Sequence, residues 1–196
     1  MLTKKQIKIK RAVDIILSAI ALLFFGWMIG VLWIVNFLLT KENSFFLQER
    51  VGQYGKLFKI VKIRTVYKTQ RFKIWASFLR TSKLDELPQL WNVLVGEMSL
   101  VGPRPDIQGF ADELQGEERV ILNLKPGLTG PASLFFLKEE ELLAKQKNKE
   151  KYNREVIWKK KVQMNLNYIH NYKLKNDFKC LLLSLIQVLT AFRFYK

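Results

Sequence analysis

Asp85 and Glu86 stand side by side in the stretch LRTSKLDELPQLWNVLVGEMSLVGPRP, which runs from Leu79 to Pro105. Two adjacent carboxylates beside cationic groups can hold a magnesium ion through oxygen ligands while a substrate phosphate completes its shell. One of them can also attack phosphorus and form an acyl-phosphate. The plain alternative is a helix with acidic residues in its first turn, where the helix dipole favours them. Thr81 and Ser82 are good N-cap residues, and Pro88 suits the first turn because its missing N–H is not needed there. The pattern predicts a helix over 88–94, with the acidic pair at or just before its start. Free N–H groups at such a point favour ionised carboxylates and attract phosphate, and Arg80 and Lys83 add positive charge nearby. In GPRP, Gly102–Pro105, the two prolines fix the backbone around Arg104 and pre-aim a guanidinium suited to bidentate phosphate binding. A surface salt bridge to Asp106 or Glu97 is the simpler reading of the same arginine. LKPGLTGP, Leu124–Pro131, reads as a second rigid turn of type II, with Gly127 at positive φ.

These groups need a scaffold that holds them near their substrate. From Ile15 to Leu39, 25 consecutive residues carry no charge. As a helix they reach about 37 Å, enough to span a bilayer. Lys4, Lys5, Lys8, Lys10 and Arg11 precede the stretch, and Lys41, Arg50, Lys56, Lys59 and Lys62 follow it. Basic flanks favour the cytoplasmic side, and here both ends qualify. A segment that enters the membrane and turns back keeps both flanks in the cytoplasm; a single spanning helix does not. Backbone freed at the turn must find partners. Gly26 and Gly30 could loosen the helix there, with Ser18 and Asn36 as hydrogen-bonding groups.

Downstream, VGQYGKLFKIVKIRT reads as a turn around QYG and an extended segment over 56–65. A short helix is expected over 74–79. Residues 138–161 are dense in charge and read as a solvated surface helix with a flexible middle at 147–151. Near the end, FKCLLLSLIQVLTAF has helical spacing of Leu181, Leu182, Leu185, Ile186 and Leu189, but its uncharged run of 13 residues is too short to span. It either lies in the membrane interface or covers the core.

Composition narrows the partners. Lys and Arg number 33 against 17 Asp and Glu, a net charge of +16, in a chain that is 49% hydrophobic. A basic and apolar chain suits an anionic membrane surface or a phosphate-bearing ligand. Nucleic acid would explain the charge but not the apolar stretch, so none is expected. One cysteine, Cys180, excludes an intrachain disulfide, and with one histidine, His170, a zinc site is not expected.

KRAVDIILS, FFLQERVGQYGKLFKIVKIRT, the Leu79–Pro105 block and LKPGLTG occur in this order, and each resembles a block of the bacterial sugar transferases, the monotopic phosphoglycosyl transferases that act on polyprenyl phosphate. The resemblance runs from about residue 10 to 130 and more weakly over 168–189. It implies a mainly α fold with a small β element: a re-entrant membrane helix with its basic flank (1–40) and a compact cytoplasmic α/β catalytic domain (41–196) with interfacial amphipathic helices. It implies transfer of a sugar phosphate from a nucleotide diphospho-sugar, usually a uridine one, to polyprenyl phosphate at the bacterial inner membrane, by a magnesium-dependent ping-pong route.

Carried over, Asp85 is the nucleophile and Glu86 its partner carboxylate, and the two are the metal ligands. Arg80 and Arg104 meet phosphate, joined by Lys62 and Arg64. Gln48, Glu49 and Arg50 support the site, and Asp177 matches an acidic position before the last helix. Donor, acceptor and membrane phospholipid are the expected partners, and a homodimer is compatible with this organisation. The family's Ser-Pro pair in the membrane helix is replaced here by Gly26 and Trp27, so a turn would have to come from the glycine and from packing. The rival reading is a catalytically idle membrane-anchored scaffold binding lipid phosphate or a partner transferase; it would not need both carboxylates.

Overall fold

The computed structural model describes residues 2–67 and 70–191. Helix α1 covers Lys4–Thr40, starting at a capping box in which the Thr3 side chain accepts from the Gln6 amide and Gln6 returns a bond to the Thr3 N–H. At 37 residues it is about 55 Å long. Its polarity is inverted relative to a soluble helix. Lys10, Asp14, Ser18 and Asn36 are buried, while Ile16, Leu23, Phe24, Trp27, Ile34 and Leu38 are exposed.

The polar stripe bonds to the rest of the chain at both ends. Near the N-terminus Lys10 pairs with Asp177, the Arg11 guanidinium donates to the carbonyls of Val93 and Leu94, and Asp14 accepts from the Leu100 amide and the Ser99 hydroxyl. Near the C-terminus Asn36 accepts from the Tyr67 hydroxyl and the Trp75 indole, and Leu32 packs with Ile63 and Leu79. The loosening expected at Gly26 and Gly30 does not occur: the helix runs through both glycines without a break. Ser18 donates to Ile15 of its own helix and Asn36 serves the neighbouring elements, so neither satisfies a turn.

Strands β1 (Phe45–Val51) and β2 (Leu57–Ile63) form an antiparallel hairpin with Val51 opposite Leu57. The turn at QYG is as the sequence predicts, with Tyr54 and Gly55 at positive φ. Helix α2 (Lys73–Thr81) leads into a 3-10 turn, Leu84–Glu86, and then α3 (Gln89–Val95). Thr81 and Ser82 close α2 instead of starting α3. The Ser82 hydroxyl donates back to the Phe78 carbonyl, and the chain reverses at Lys83, which has φ 59°. Asn92 of α3 clamps β2, accepting from the Val61 amide and donating to the Lys59 carbonyl.

Strands β3 (Ser99–Val101) and β4 (Gly127–Thr129) pair in parallel. Gly127 is not at positive φ, contrary to the type II expectation. Glycine is needed there for another reason: a Cβ on Gly127 would overlap the Gly102 backbone, and one on Gly130 would overlap the Gly102 carbonyl.

The charged region 138–161 is not one surface helix. After α4 (Pro131–Phe135), it divides into α5 (Glu139–Ala144), α6 (Lys149–Tyr152, capped by Asn148) and a π-helical segment, Asn153–Trp158. The π segment buries Ile157 and feeds α7 (Lys159–His170). Helix α8 (Leu174–Ala191) begins earlier than the sequence suggests; Phe192, the expected end, lies outside the described residues. Its Leu182, Leu185, Ile186 and Leu189 are exposed, while Cys180 is buried in the main core with Val93, Met98, Val101 and Ile169.

Candidate functional site

Asp85 and Glu86 occupy the 3-10 turn ahead of α3, and burial separates their roles. The Glu86 carboxylate accepts from Lys62 Nζ at 3.0 Å and from Arg104 at 2.9 Å through the same oxygen. Burial alone would push its pKa up. The Arg104 guanidinium, then the Lys62 and Lys83 ammonium groups, more than offset this and hold it at about 2. Asp85 is 6% exposed and its Oδ1 has no hydrogen-bond partner. Burial, and next the neighbouring Glu86 charge, raise its pKa to about 6 against the pull of Lys62 and Lys83. One carboxylate is therefore a charged anchor for two cations, and the other, with one oxygen unpartnered, ionises only against the cost of its burial.

The hairpin and the glycine-packed loops position these cations. Lys62 sits at the end of β2, and Arg104 lies on the loop after β3. That loop is held from both sides: Gly127 donates to the Pro103 carbonyl at 2.7 Å and Gly102 to the Thr129 carbonyl at 2.9 Å. Val51 of β1 donates to the Asp106 carbonyl at 2.9 Å, which ties the hairpin to the arginine loop. Arg50 joins them, donating to the Pro105 carbonyl and to Gln48, with its Nε buried and unpartnered. Arg50, Lys62, Arg104 and Gln89 line one small cleft. Gln89 is 3% exposed and its Nε2 also has no partner. A lining of several cations with two unpartnered N–H groups favours an anionic group.

Of the residues singled out in the sequence, Asp85, Glu86, Lys62, Arg104, Arg50 and Gln48 come together. Arg64 and Arg80 do not join them. Arg64 pairs with Glu42 and donates to the Asn43 carbonyl, because β2 ends at Ile63 and the chain turns away. Arg80 is exposed and donates to the Thr65 carbonyl, and both arginines bear on Tyr67. Glu49 is exposed on the face of β1 opposite Arg50. Asp177 is a structural partner of Lys10, Tyr168 and Tyr172.

Sequence reasoning passed over Gln89, whose signal is a polar residue in an otherwise apolar helical turn. It also passed over Asp106, whose pKa burial raises to about 6 although Lys161, Arg104 and Arg50 oppose this. Among the described residues no three His, Cys, Asp or Glu side chains gather to hold a metal. Asp85 and Glu86 supply two carboxylates, and the unpartnered Asp85 oxygen fits a magnesium ion that takes its other ligands from substrate phosphate and water.

The model of the family described as bacterial sugar transferase matches residues 5–191. A Bacillus subtilis (strain 168) protein provisionally named an undecaprenyl-phosphate N-acetylgalactosaminyl 1-phosphate transferase is 38% identical over 128 residues, 59% of this chain and 72% of that protein. The UDP-galactose-lipid carrier transferase of Erwinia amylovora is 33% identical over 62% of this chain and 31% of its own length. The UDP-glucose:undecaprenyl-phosphate glucose-1-phosphate transferase of Escherichia coli (strain K12) is 30% identical over 91% of this chain. The chain spans only 40% of that last relative. A match that runs over residues 5–191, nearly every described element, places the chain in the bacterial sugar transferase family.

Proposed function

We propose that the protein transfers a sugar phosphate from a UDP-sugar to undecaprenyl phosphate, as the first membrane step of a glycan pathway. The observation that carries this is the buried Asp85 with an unpartnered oxygen, set against Glu86 and its two captive cations. An Asp85 oxygen attacks the β-phosphorus of the donor. The bond from that phosphorus to the bridging oxygen breaks, and UMP leaves with the electron pair. A phosphate oxygen of undecaprenyl phosphate then attacks the same phosphorus, the Asp85–phosphorus bond breaks, and the carboxylate is restored. No redox partner is needed.

With a pKa of about 6, Asp85 is ionised about ten to one at pH 7 and keeps the nucleophilicity that a higher pKa confers. Arg104, Lys62 and Arg50 meet the charge that gathers on the phosphoryl oxygens, and Glu86 keeps the first two in place before substrate arrives. Magnesium, held by Asp85 and Glu86, would neutralise diphosphate charge. The exposed apolar face of α1 suits a bilayer, and its two fastened ends suit an arrangement in which the domain stays on the cytoplasmic face of the inner membrane, where the acceptor's phosphate lies.

The test is Asp85→Asn in the full-length protein, assayed for UMP release from a panel of UDP-sugars with a short polyprenyl phosphate. Loss of turnover with unchanged membrane association is expected, together with a phosphosugar mass adduct on the wild-type protein when acceptor is withheld. Undiminished turnover, or product without any adduct, would defeat the reading. For topology, a Thr3→Cys variant should be labelled from the cytoplasmic side alone.

A further inference from the structure

Lys62 and Arg104 are both bonded to one oxygen of Glu86. Arg50 donates to the Pro105 carbonyl and to Gln48, Arg80 donates to the Thr65 carbonyl, and Arg64 is paired with Glu42. A phosphoryl group that arrives at Asp85 must therefore draw one of these cations from its partner or meet another. Lys83 is another. It is exposed, and among the described residues its ammonium has no ion pair and no hydrogen bond. It stands two residues before Asp85. Its carbonyl accepts from the Glu86 amide at 3.1 Å and closes the turn that carries both carboxylates. Its charge acts on both of them.

The backbone supplies a second observation. Lys83 has φ 59° and ψ 15°, a left-handed conformation that favours glycine or asparagine. Of the three non-glycine residues at positive φ among the described residues, Lys41, Tyr54 and Lys83, Lys83 alone borders the acidic pair. The conformation is required, because the chain reverses there between α2 and the turn of the carboxylates. The Lys83 amide donates to the Arg80 carbonyl, and the Ser82 hydroxyl to that of Phe78. Glycine would meet the requirement with less strain and without charge. A cation kept where the backbone takes glycine more readily points to a use for the side chain. Lysine also suits the task, since its flexible stem can carry a compact charge to a group that moves.

We infer that the Lys83 ammonium is a further catalytic group, a mobile cation that meets a phosphate oxygen at Asp85 while Lys62 and Arg104 stay with Glu86. The inference rests on the phosphosugar-transfer reading above. The oxygen belongs to the donor diphosphate, to the acceptor's phosphate monoester, or to the phosphoryl group that passes between them. Lys83 supplies charge and moves no proton, so the bonds made and broken at phosphorus are those already given.

The test uses the full-length protein in nanodiscs of zwitterionic lipid and separates the two half-reactions. UMP release is measured from donor alone in a single turnover, and product formation after a short polyprenyl phosphate is added to the preformed adduct. Lys83→Arg, Lys83→Asn and Lys83→Gly are compared with wild type. The Asn and Gly variants should melt at the same temperature or higher, since both residues suit the left-handed backbone. They should be slower by about ten- to a hundredfold, the loss of one charge-assisted contact, while the Arg variant keeps most of the rate. Slowing of UMP release alone assigns the contact to the donor diphosphate. Slowing of the second step alone assigns it to the acceptor phosphate, and slowing of both to the phosphoryl group common to them. Wild-type rates in both steps for the Asn and Gly variants overturn the inference and leave the Asp85 reading standing. Slowing that comes with a lower melting temperature, or an Arg variant as slow as the other two, also overturns it, since each marks a structural role. A wild-type protein that releases no UMP and forms no adduct overturns the transfer reading and this inference with it.

Discussion

Removing the Asp85 charge should stabilise the protein while it destroys activity. The Asp85 pKa rises from 3.8 to about 6, first because the carboxylate is buried and next because Glu86 is charged beside it. About two pKa units correspond to roughly 3 kcal/mol at 1.36 kcal/mol each. The sign follows from linkage. Between pH 3.8 and about 6 the folded state keeps a proton that the unfolded chain has already lost, so stability falls as pH rises through that window. Above pH 6 the deficit is fully developed, and below pH 4 it is absent. Asp85→Asn keeps the shape and removes the ionisation. At pH 7.5 its Tm should exceed the wild type by about 6–12 °C, taking about 2–4 °C per kcal/mol for a chain of this size. The gap should close as the buffer approaches pH 4. Thermal melts of both proteins in the same detergent across pH 4–8 measure it. An Asn variant that melts lower at pH 7.5, or a gap that does not depend on pH, would refute the reasoning that the nucleophile is held ionised against its surroundings.

On the proposed mechanism UMP release from donor alone needs ionised Asp85, so its kcat/KM should fall about tenfold per pH unit below about 6. Glu86→Gln removes the adjacent charge and frees Lys62 and Arg104. Its acid limb should move to lower pH even as the rate at pH 7 drops by about a hundredfold; an unmoved limb in rate–pH profiles would contradict the coupling. Gly127→Ala forces a Cβ into the Gly102 backbone and should displace Arg104, costing activity and about 2–4 kcal/mol of stability, read from melts and turnover. Lys10→Met leaves Asp177 buried without its cation and should cost about 3–5 kcal/mol in denaturation, whereas Lys10→Arg should recover much of it.

The acidic pair, Arg104 and the long apolar helix could be read from local spacing and charge, whereas Lys62 entered only through the family resemblance. What could not be read depends on where the chain goes next. Lys62 and Arg64 look equivalent on an extended strand, yet β2 stops between them and only Lys62 reaches Glu86. Arg80 precedes Asp85 by five residues, but the reversal at Lys83 turns it away. Thr81 and Ser82 have the chemistry of helix starts and serve at a helix end. Gly127 looked like a turn glycine, and its real constraint is the backbone of Gly102, 25 residues earlier in the chain. The orphaned amides of Gln89 and Asn165 are defined by what fails to contact them, which no local pattern reports.

The inverted polarity of α1 bears on the order of biosynthesis. A ribosome releases Lys10 long before Asp177, 167 residues later, and Asp14 long before the Ser99 and Leu100 groups that satisfy it. The Asn36 partners Tyr67 and Trp75 follow soon after it, but the carboxylate waits through half of the chain shown here and the cation through nearly all of it. Its final seat therefore does not exist until nearly the last helix has been made, and the nascent segment must wait in water, in lipid headgroups or with a chaperone until its own C-terminus comes to collect it.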